Sequence, residues 1–273
     1  MSKMWTKEGS VSAVTGKIQG DRSQGEDASP SAVKTLGKAL TVLEAVAQCE
    51  HPPTVGELAA VVGLARPTVH RLVQTLVGTG FLQQNANDAR VSIGFAVLPL
   101  ASSLLDNNRL RLEALPHLQA LAQKMNERVN LGILHRGQVL IIGGTEKPNL
   151  PTIYSRFGRS VPLHCCALGK AMLAFMPPDQ ARALLEARPM VARAPNTITT
   201  IAAMEQELAA IRERGYSTEH GENSPTSSCI GVPLLDRNDF PVGALSVSGR
   251  SMEALKKDAG EALATAELIS HLL

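Results

Sequence analysis

Two sets of residues in this chain combine types and spacings suited to chemistry. The first is the run Arg66-Pro67-Thr68-Val69-His70-Arg71. Val69, Leu72, Val73 and Leu76 recur at helical steps, so Arg66, Thr68, His70 and Arg71 fall on the other face. Arginine matches O6 and N7 of guanine, and threonine can bond a phosphate or touch a thymine methyl. A helix carrying these four side chains is a candidate for reading a DNA major groove. The second set lies near the C-terminus. Ser246 and Ser248 stand two apart on an expected strand, which turns both hydroxyls to one side of a sheet. Cys229 lies on the preceding expected strand. Cys166 to Gly169 lie where a helix begins, with free backbone N–H groups and the positive end of its dipole. Hydroxyls and a helix N-terminus suit a carboxylate without needing an arginine.

Both sets need elements to hold them. Val33, Leu36, Leu40, Leu43 and Val46-Ala47 predict a first helix that stops before His51-Pro52-Pro53. Thr54 with Glu57 three residues later predicts a capping box, and Gly63 is placed to end this second helix. Pro67 suits the first turn of the third helix, which Gly78–Gly80 closes. A hairpin follows, 81–84 paired with 90–93 across Asn85-Ala86-Asn87-Asp88, a wing that offers Asn85, Asn87 and Arg90 to the DNA backbone or minor groove. Residues 95–111 return to helical spacing through Leu98, Leu105 and Leu112, and a further helix is expected from Pro116 to Met125. Beyond it, strands are expected near 130–135, 138–143, 152–157, 215–220, 228–235 and 241–248. Helices are expected near 166–176, 178–187, 200–214 and 254–272. The whole reads as α+β: a winged helix-turn-helix, then helices packed on an antiparallel sheet.

Other assignments of the same residues stand beside these. A three-helix unit with a hairpin also serves to bind protein. Two serines on a strand also bond backbone or face solvent, and a buried cysteine is also a small core residue. His164, Cys165, Cys166, His220 and Cys229 are donors of metal-binding type, although adjacent cysteines do not match a zinc spacing. Cys229, His220 and Glu222 would be the thiol, base and acid of a cysteine-dependent hydrolase. A small-molecule-binding module without DNA binding is the remaining alternative.

Composition narrows the classes. The chain has 273 residues, 27 Lys+Arg against 25 Asp+Glu, and a formal charge of +2. This balance excludes a protein that coats DNA or membrane by bulk charge. The excess sits in residues 31–111, with seven basic and five acidic residues, since the stretches on either side are balanced. Five Phe, two Tyr and one Trp are too few for a base-stacking surface. Four cysteines without a CxxC pair do not form a disulfide scaffold. Residues 1–30 lack apolar periodicity and read as a disordered tail. No leader or membrane segment is visible, so a cytoplasmic site is expected.

The chain resembles the IclR family of bacterial transcriptional regulators over about residues 33–273. The resemblance is carried by Thr54-Val-Gly-Glu-Leu-Ala, by Gly63-Leu-Ala-Arg-Pro-Thr-Val-His-Arg-Leu, by Gly80-Phe-Leu and by Val91-Ser-Ile-Gly. Further along it rests on Val161-Pro-Leu-His-Cys-Cys-Ala-Leu-Gly-Lys-Ala-Met-Leu-Ala, Asn196-Thr-Ile-Thr, Ile211-Arg-Glu-Arg-Gly-Tyr-Ser, Cys229-Ile-Gly-Val-Pro and Ala244-Leu-Ser-Val-Ser-Gly. It departs from the family at Pro67, at Cys166, in the shortened acidic cluster at 219–222, and at Thr226. The resemblance implies a winged-helix domain over 31–94, a dimerising linker over 95–115 and a GAF/profilin-like effector domain over 116–273. It implies operator DNA as partner, a second copy or a dimer of dimers, a small carboxylate effector, and neither catalysis, metal nor cofactor. It also implies effector contacts at Ala167, Leu168, Glu219, Cys229, Ser246 and Ser248.

Overall fold

The computed structural model describes residues 31–49, 51–148, 157–249 and 251–273. The expected tail and all but the last residue of the expected strand at 152–157 lie outside them. Two compact units divide the chain, one ending at Val97 and the other beginning at Leu98.

The first unit opens with α1 (Ser31–Gln48). Val42, Ala45 and Val46 bury its inner face, whereas Leu36 and Leu40 are exposed. The expected apolar stripe therefore enters the core only in its second half. In α2 (Val55–Val62), Glu57 N–H donates to Thr54 Oγ1 at 3.3 Å and Thr54 N–H to Glu57 Oε2 at 2.6 Å. This is the capping box that the spacing predicts. Gly63 ends the helix in the left-handed region, at φ 67°. In α3 (Arg66–Gly78), Pro67 lies in the first turn, where a missing N–H costs nothing. Val69, Leu72, Val73 and Leu76 close the core. The wing pairs β1 (Leu82–Gln84) with β2 (Val91–Ile93) antiparallel, and Asn85 Oδ1 accepts from Asn87 N–H to shape its turn.

The second unit is built on a six-stranded antiparallel sheet. Its strands are β3 (Arg128–His135), β4 (Gln138–Thr145), β5 (Ser160–Val161), β6 (Ser217–His220), β7 (Ser228–Leu235) and β8 (Pro241–Ser248), in the order β5-β4-β3-β8-β7-β6. Two hairpins, β3–β4 and β7–β8, meet along β3 and β8. Alternation gives the sheet two different faces. Val129, Leu131, Ile230, Val232, Leu245 and Val247 join one core under α5 (Arg109–Met125) and α10 (Ala259–His271). The other face meets α6 (Ala167–Phe175), against which α8 (Ile201–Arg214) packs.

Three helix boundaries differ from expectation. The pattern over 95–111 covers α4 (Val97–Asp106) and the start of α5, split where Asn108 Oδ1 accepts from Arg111 N–H at 2.9 Å. Pro116 does not begin a helix but lies inside α5. Burial of Ala114, Leu118, Leu121 and Ala122 carries the helix through it, outweighing the lost hydrogen bond. The helix expected over 254–272 is two, α9 (Met252–Lys257) and α10, which part at Asp258.

One close approach fixes the start of α6. A Cβ on Gly231 would lie 2.5 Å from the Ala167 carbonyl oxygen, an atom that Ser217 Oγ already holds by donating to it at 2.6 Å. Gly231→Ala is expected to destabilise the protein by about 1–3 kcal/mol through overpacking. Denaturant unfolding monitored by circular dichroism checks this.

Candidate functional site

In α3 the four buried residues face the core and leave a contiguous outer surface. At about 100° per residue, Arg71 and Gln74 are the polar side chains nearest the centre of that surface, with His70 beside them. Arg66 and Thr68 flank it on either side, Arg66 exposed and Thr68 half-buried. Gln74 is a member that the sequence reading missed. Its Nε2 donates to Gln84 Oε1 at 3.0 Å, which ties the helix to the wing. Arg90 is turned inward rather than outward. Its Nη1 donates to the Pro52 carbonyl at 2.6 Å, and its guanidinium lies 3.7 Å from Glu57 and 3.8 Å from Asp88. The wing arginine thus braces the base of the hairpin against the α2 cap.

On the α6 side of the second unit's sheet lies a cavity of about 670 Å³. It brings together all six candidate positions: Ala167, Leu168, Glu219, Cys229, Ser246 and Ser248. The strand register explains why. Asn130 pairs with Ser246, Ser248 with Cys229, and Cys229 with Glu219, so all five share one face. Asn130 Nδ2 lies 3.4 Å from both Ser246 Oγ and Ser248 Oγ, and Cys229 Sγ lies 3.2 Å from Ser248 Oγ. Asn130 was legible in principle. It is the polar residue between Val129 and Leu131, whose side chains enter the opposite core.

Glu219 is 2% exposed, and its Oε1 is occupied. It accepts from Glu222 N–H at 2.9 Å, Asn223 N–H at 3.1 Å and Ser227 Oγ at 2.6 Å. The carboxylate therefore shapes the loop 221–227, which contributes Asn223, Ser224, Thr226 and Ser227 to the cavity wall. That loop is fixed a second time by Lys170 of α6, which is 1% exposed. Lys170 Nζ donates to both oxygens of Glu222, at 2.6 and 2.8 Å, and lies 3.7 Å from Glu207.

Cations also line the cavity, where the sequence reading required none. Arg128 donates to Glu146 at 2.6 Å and Lys147 lies 3.9 Å from Glu127. Arg159 and Arg193 stand in the lining without an ion pair among the described residues, and Arg193 Nε donates to Asn223 Oδ1 at 3.0 Å. Both arginines come from loops, where no periodic pattern marks them.

At the start of α6, Cys166 is the N-cap. Its sulfur accepts from Gly169 N–H at 3.4 Å and its thiol lies 3.2 Å from the Pro162 carbonyl. Burial pushes the Cys166 thiol strongly up and that of Cys165 up to about 11. At pH 7.5 roughly one Cys165 thiol in three thousand is then ionised, far below what a nucleophile needs. Both are expected to resist iodoacetamide in the folded protein and react fully once unfolded, as read by mass spectrometry. The register also separates the imagined triad. Cys229 pairs with Glu219 and His220 with Ser228, so thiol and imidazole point to opposite faces. His220 Nδ1 lies 2.9 Å from Ser228 Oγ, and Glu222 is held by Lys170.

The comparisons with known proteins agree with this division. Residues 35–86 match the IclR helix-turn-helix domain and 102–271 the bacterial transcriptional regulator IclR C-terminal domain. The glycerol operon regulatory protein of Streptomyces coelicolor is 32% identical over 217 residues, covering 80% of this chain and 85% of that one. An IclR transcriptional regulator from Alicyclobacillus acidocaldarius superposes with a TM-score of 0.77 at 25% identity, covering 88% of this chain and 98% of the other. An IclR homologue from Microbacterium hydrocarbonoxydans, solved with 4-hydroxybenzoate, gives a TM-score of 0.73 at 25% identity over 88% and 98%.

Proposed function

The chain belongs to the IclR family of bacterial transcriptional regulators, and from that premise we propose how its two units divide the work. The protein is a regulator and not an enzyme. Residues 31–94 bind operator DNA, with Arg66, Thr68, His70 and Arg71 at the major groove and Arg90 holding the wing in place. Residues 116–273 bind a small carboxylate, with Ala167, Leu168, Glu219, Cys229, Ser246 and Ser248 around it. Residues 95–115 join two copies. In support, none of the ten residues of α4 is buried, and Leu98 and Leu104 are 64% and 66% exposed. Among the described residues no helix is long and apolar enough to cross a membrane, in keeping with action on DNA in the cytoplasm.

One observation carries the ligand half of this proposal: six positions from three strands and a helix converge on one cavity. A ligand there changes operator affinity only by its different affinity for the DNA-competent and DNA-incompetent states, typically a factor of about 5 to 150. Calorimetric titration of carboxylates into wild type and Ser246→Ala tests the site. Weakened binding in the variant supports it, and unchanged affinity moves the site elsewhere.

A further inference from the structure

We infer that the cavity selects an aliphatic hydroxy acid carrying two carboxylates, held at one end by Ser246 and Ser248 and at the other by Arg159 and Arg193. The inference rests on the cavity being the effector site and specifies what enters it.

Three observations point to this class. The first is charge. Arg128 and Lys147 each form an ion pair, with Glu146 and Glu127, but Arg159 and Arg193 form none among the described residues. Glu219 is not paired with either of them: two backbone amides and the Ser227 hydroxyl hold its Oε1 toward the loop 221–227. Arg193 is anchored through Nε to Asn223, which leaves its two terminal nitrogens for a carboxylate. A second carboxylate is met separately, by the hydroxyls of the β8 serines and the first amides of α6.

The second observation is the polarity of the rest of the wall. Thr226, Ser227 and the amides of Asn130 and Asn223 offer neutral donors and acceptors. Ser227, Asn223 and Asn130 already bond Glu219, Arg193 and the β8 serines. An unsubstituted hydrocarbon spacer would strip of water the hydrogen-bonding capacity that remains at Asn130, Asn223 and Thr226, which a site of this kind penalises strongly. Hydroxyls on the ligand replace that water. The third observation is that no aromatic side chain is among the described residues lining the cavity, so none of these residues offers a ring to stack on a ligand.

The test is calorimetry on the full chain at pH 7.5 with four probes that vary charge and hydroxylation separately: tartrate, glycerate, succinate and 4-hydroxybenzoate. Tartrate is expected to bind at least about tenfold more tightly than each of the others. Arg193→Met is expected to remove the advantage of tartrate over glycerate while changing glycerate affinity by less than about twofold. Ser246→Ala is expected to weaken both. Arg193 is exposed, and matched thermal unfolding of the variant verifies that its fold is retained. If glycerate, succinate or 4-hydroxybenzoate binds as tightly as tartrate and in a Ser246-dependent way, the inferred class is wrong and the site stands. If no probe binds, or binding ignores both substitutions, the effector site itself is wrong and the inference falls with it.

Discussion

Arg71→Ala is expected to weaken operator binding by roughly ten- to hundredfold and to leave the unfolding midpoint unchanged. The size follows from one lost side-chain contact to a base or phosphate, about 1–3 kcal/mol. The selectivity follows from position. Arg71 is exposed at the centre of the outer face of α3, and the core residues Leu72 and Val73 beside it are untouched. If Arg71 meets a phosphate, the slope of log affinity against log salt falls by about one. If it meets a guanine, the slope stays and discrimination at one base pair is lost. Arg90→Ala makes a useful contrast. It removes the bond to Pro52 and the ion pairs with Glu57 and Asp88, so stability and binding are expected to fall together. Fluorescence anisotropy at several salt concentrations, beside thermal unfolding, separates the two cases.

Lys170→Met is expected to be the most damaging single change in the second unit, at about 3–5 kcal/mol. The methionine fits the space, but Glu222 loses its partner while remaining buried. Even in the native protein the Glu222 carboxyl lies above its ordinary range: burial raises it most, Lys170 lowers it, and the neighbouring Glu219 and Glu207 raise it further. Without the lysine the carboxyl shifts further up, and its charged form becomes the expensive one. A group whose folded pKa lies above its unfolded value, near 4.3, favours the folded state only while protonated. The deficit of the variant is therefore expected to grow from pH 5 to pH 8. Lys170→Met with Glu222→Gln removes the buried charge, and is expected to recover part of the loss and its pH dependence. Urea unfolding at the two pH values reads this. A deficit that is equal at both would show that Glu222 finds another counter-charge.

Much of this was legible before any coordinates, and the reasons differ by element. The capping box, the Gly63 stop and the α3 stripe are local, set by hydrogen bonds and periodicity within a few residues. β7 and β8 run over the expected ranges 228–235 and 241–248, and the two-residue spacing of Ser246 and Ser248 put both on one face. What the sequence concealed depends on tertiary choice. The burial that carries α5 through Pro116 comes from the sheet beneath it. The exposure of Leu36 and Leu40 cannot be inferred from spacing, because period-four leucines serve a core and an interface equally well. In the cavity, strand pairing located the serines and the cysteine. Arg159 and Arg193 sit on loops whose positions are set by partners far along the chain, Asn223 for Arg193 among them. Lys170 was hidden for a related reason. Its place in a Leu-Gly-Lys run gives no sign that its charge is buried against Glu222, fifty-two residues away.

The central claim is that one chain reads DNA with α3 and adjusts that reading through the cavity. The most direct measurement is the dissociation constant for a DNA fragment selected by the full protein from its own genome, taken with and without saturating tartrate. In wild type the constant is expected to change by a factor of about 5 to 150. In Ser246→Ala the response is expected to need far more tartrate, and in Arg71→Ala the fragment is expected to be held weakly in both conditions. Selection of no specific fragment, or equal constants with and without a ligand that calorimetry shows to be bound, would contradict the account.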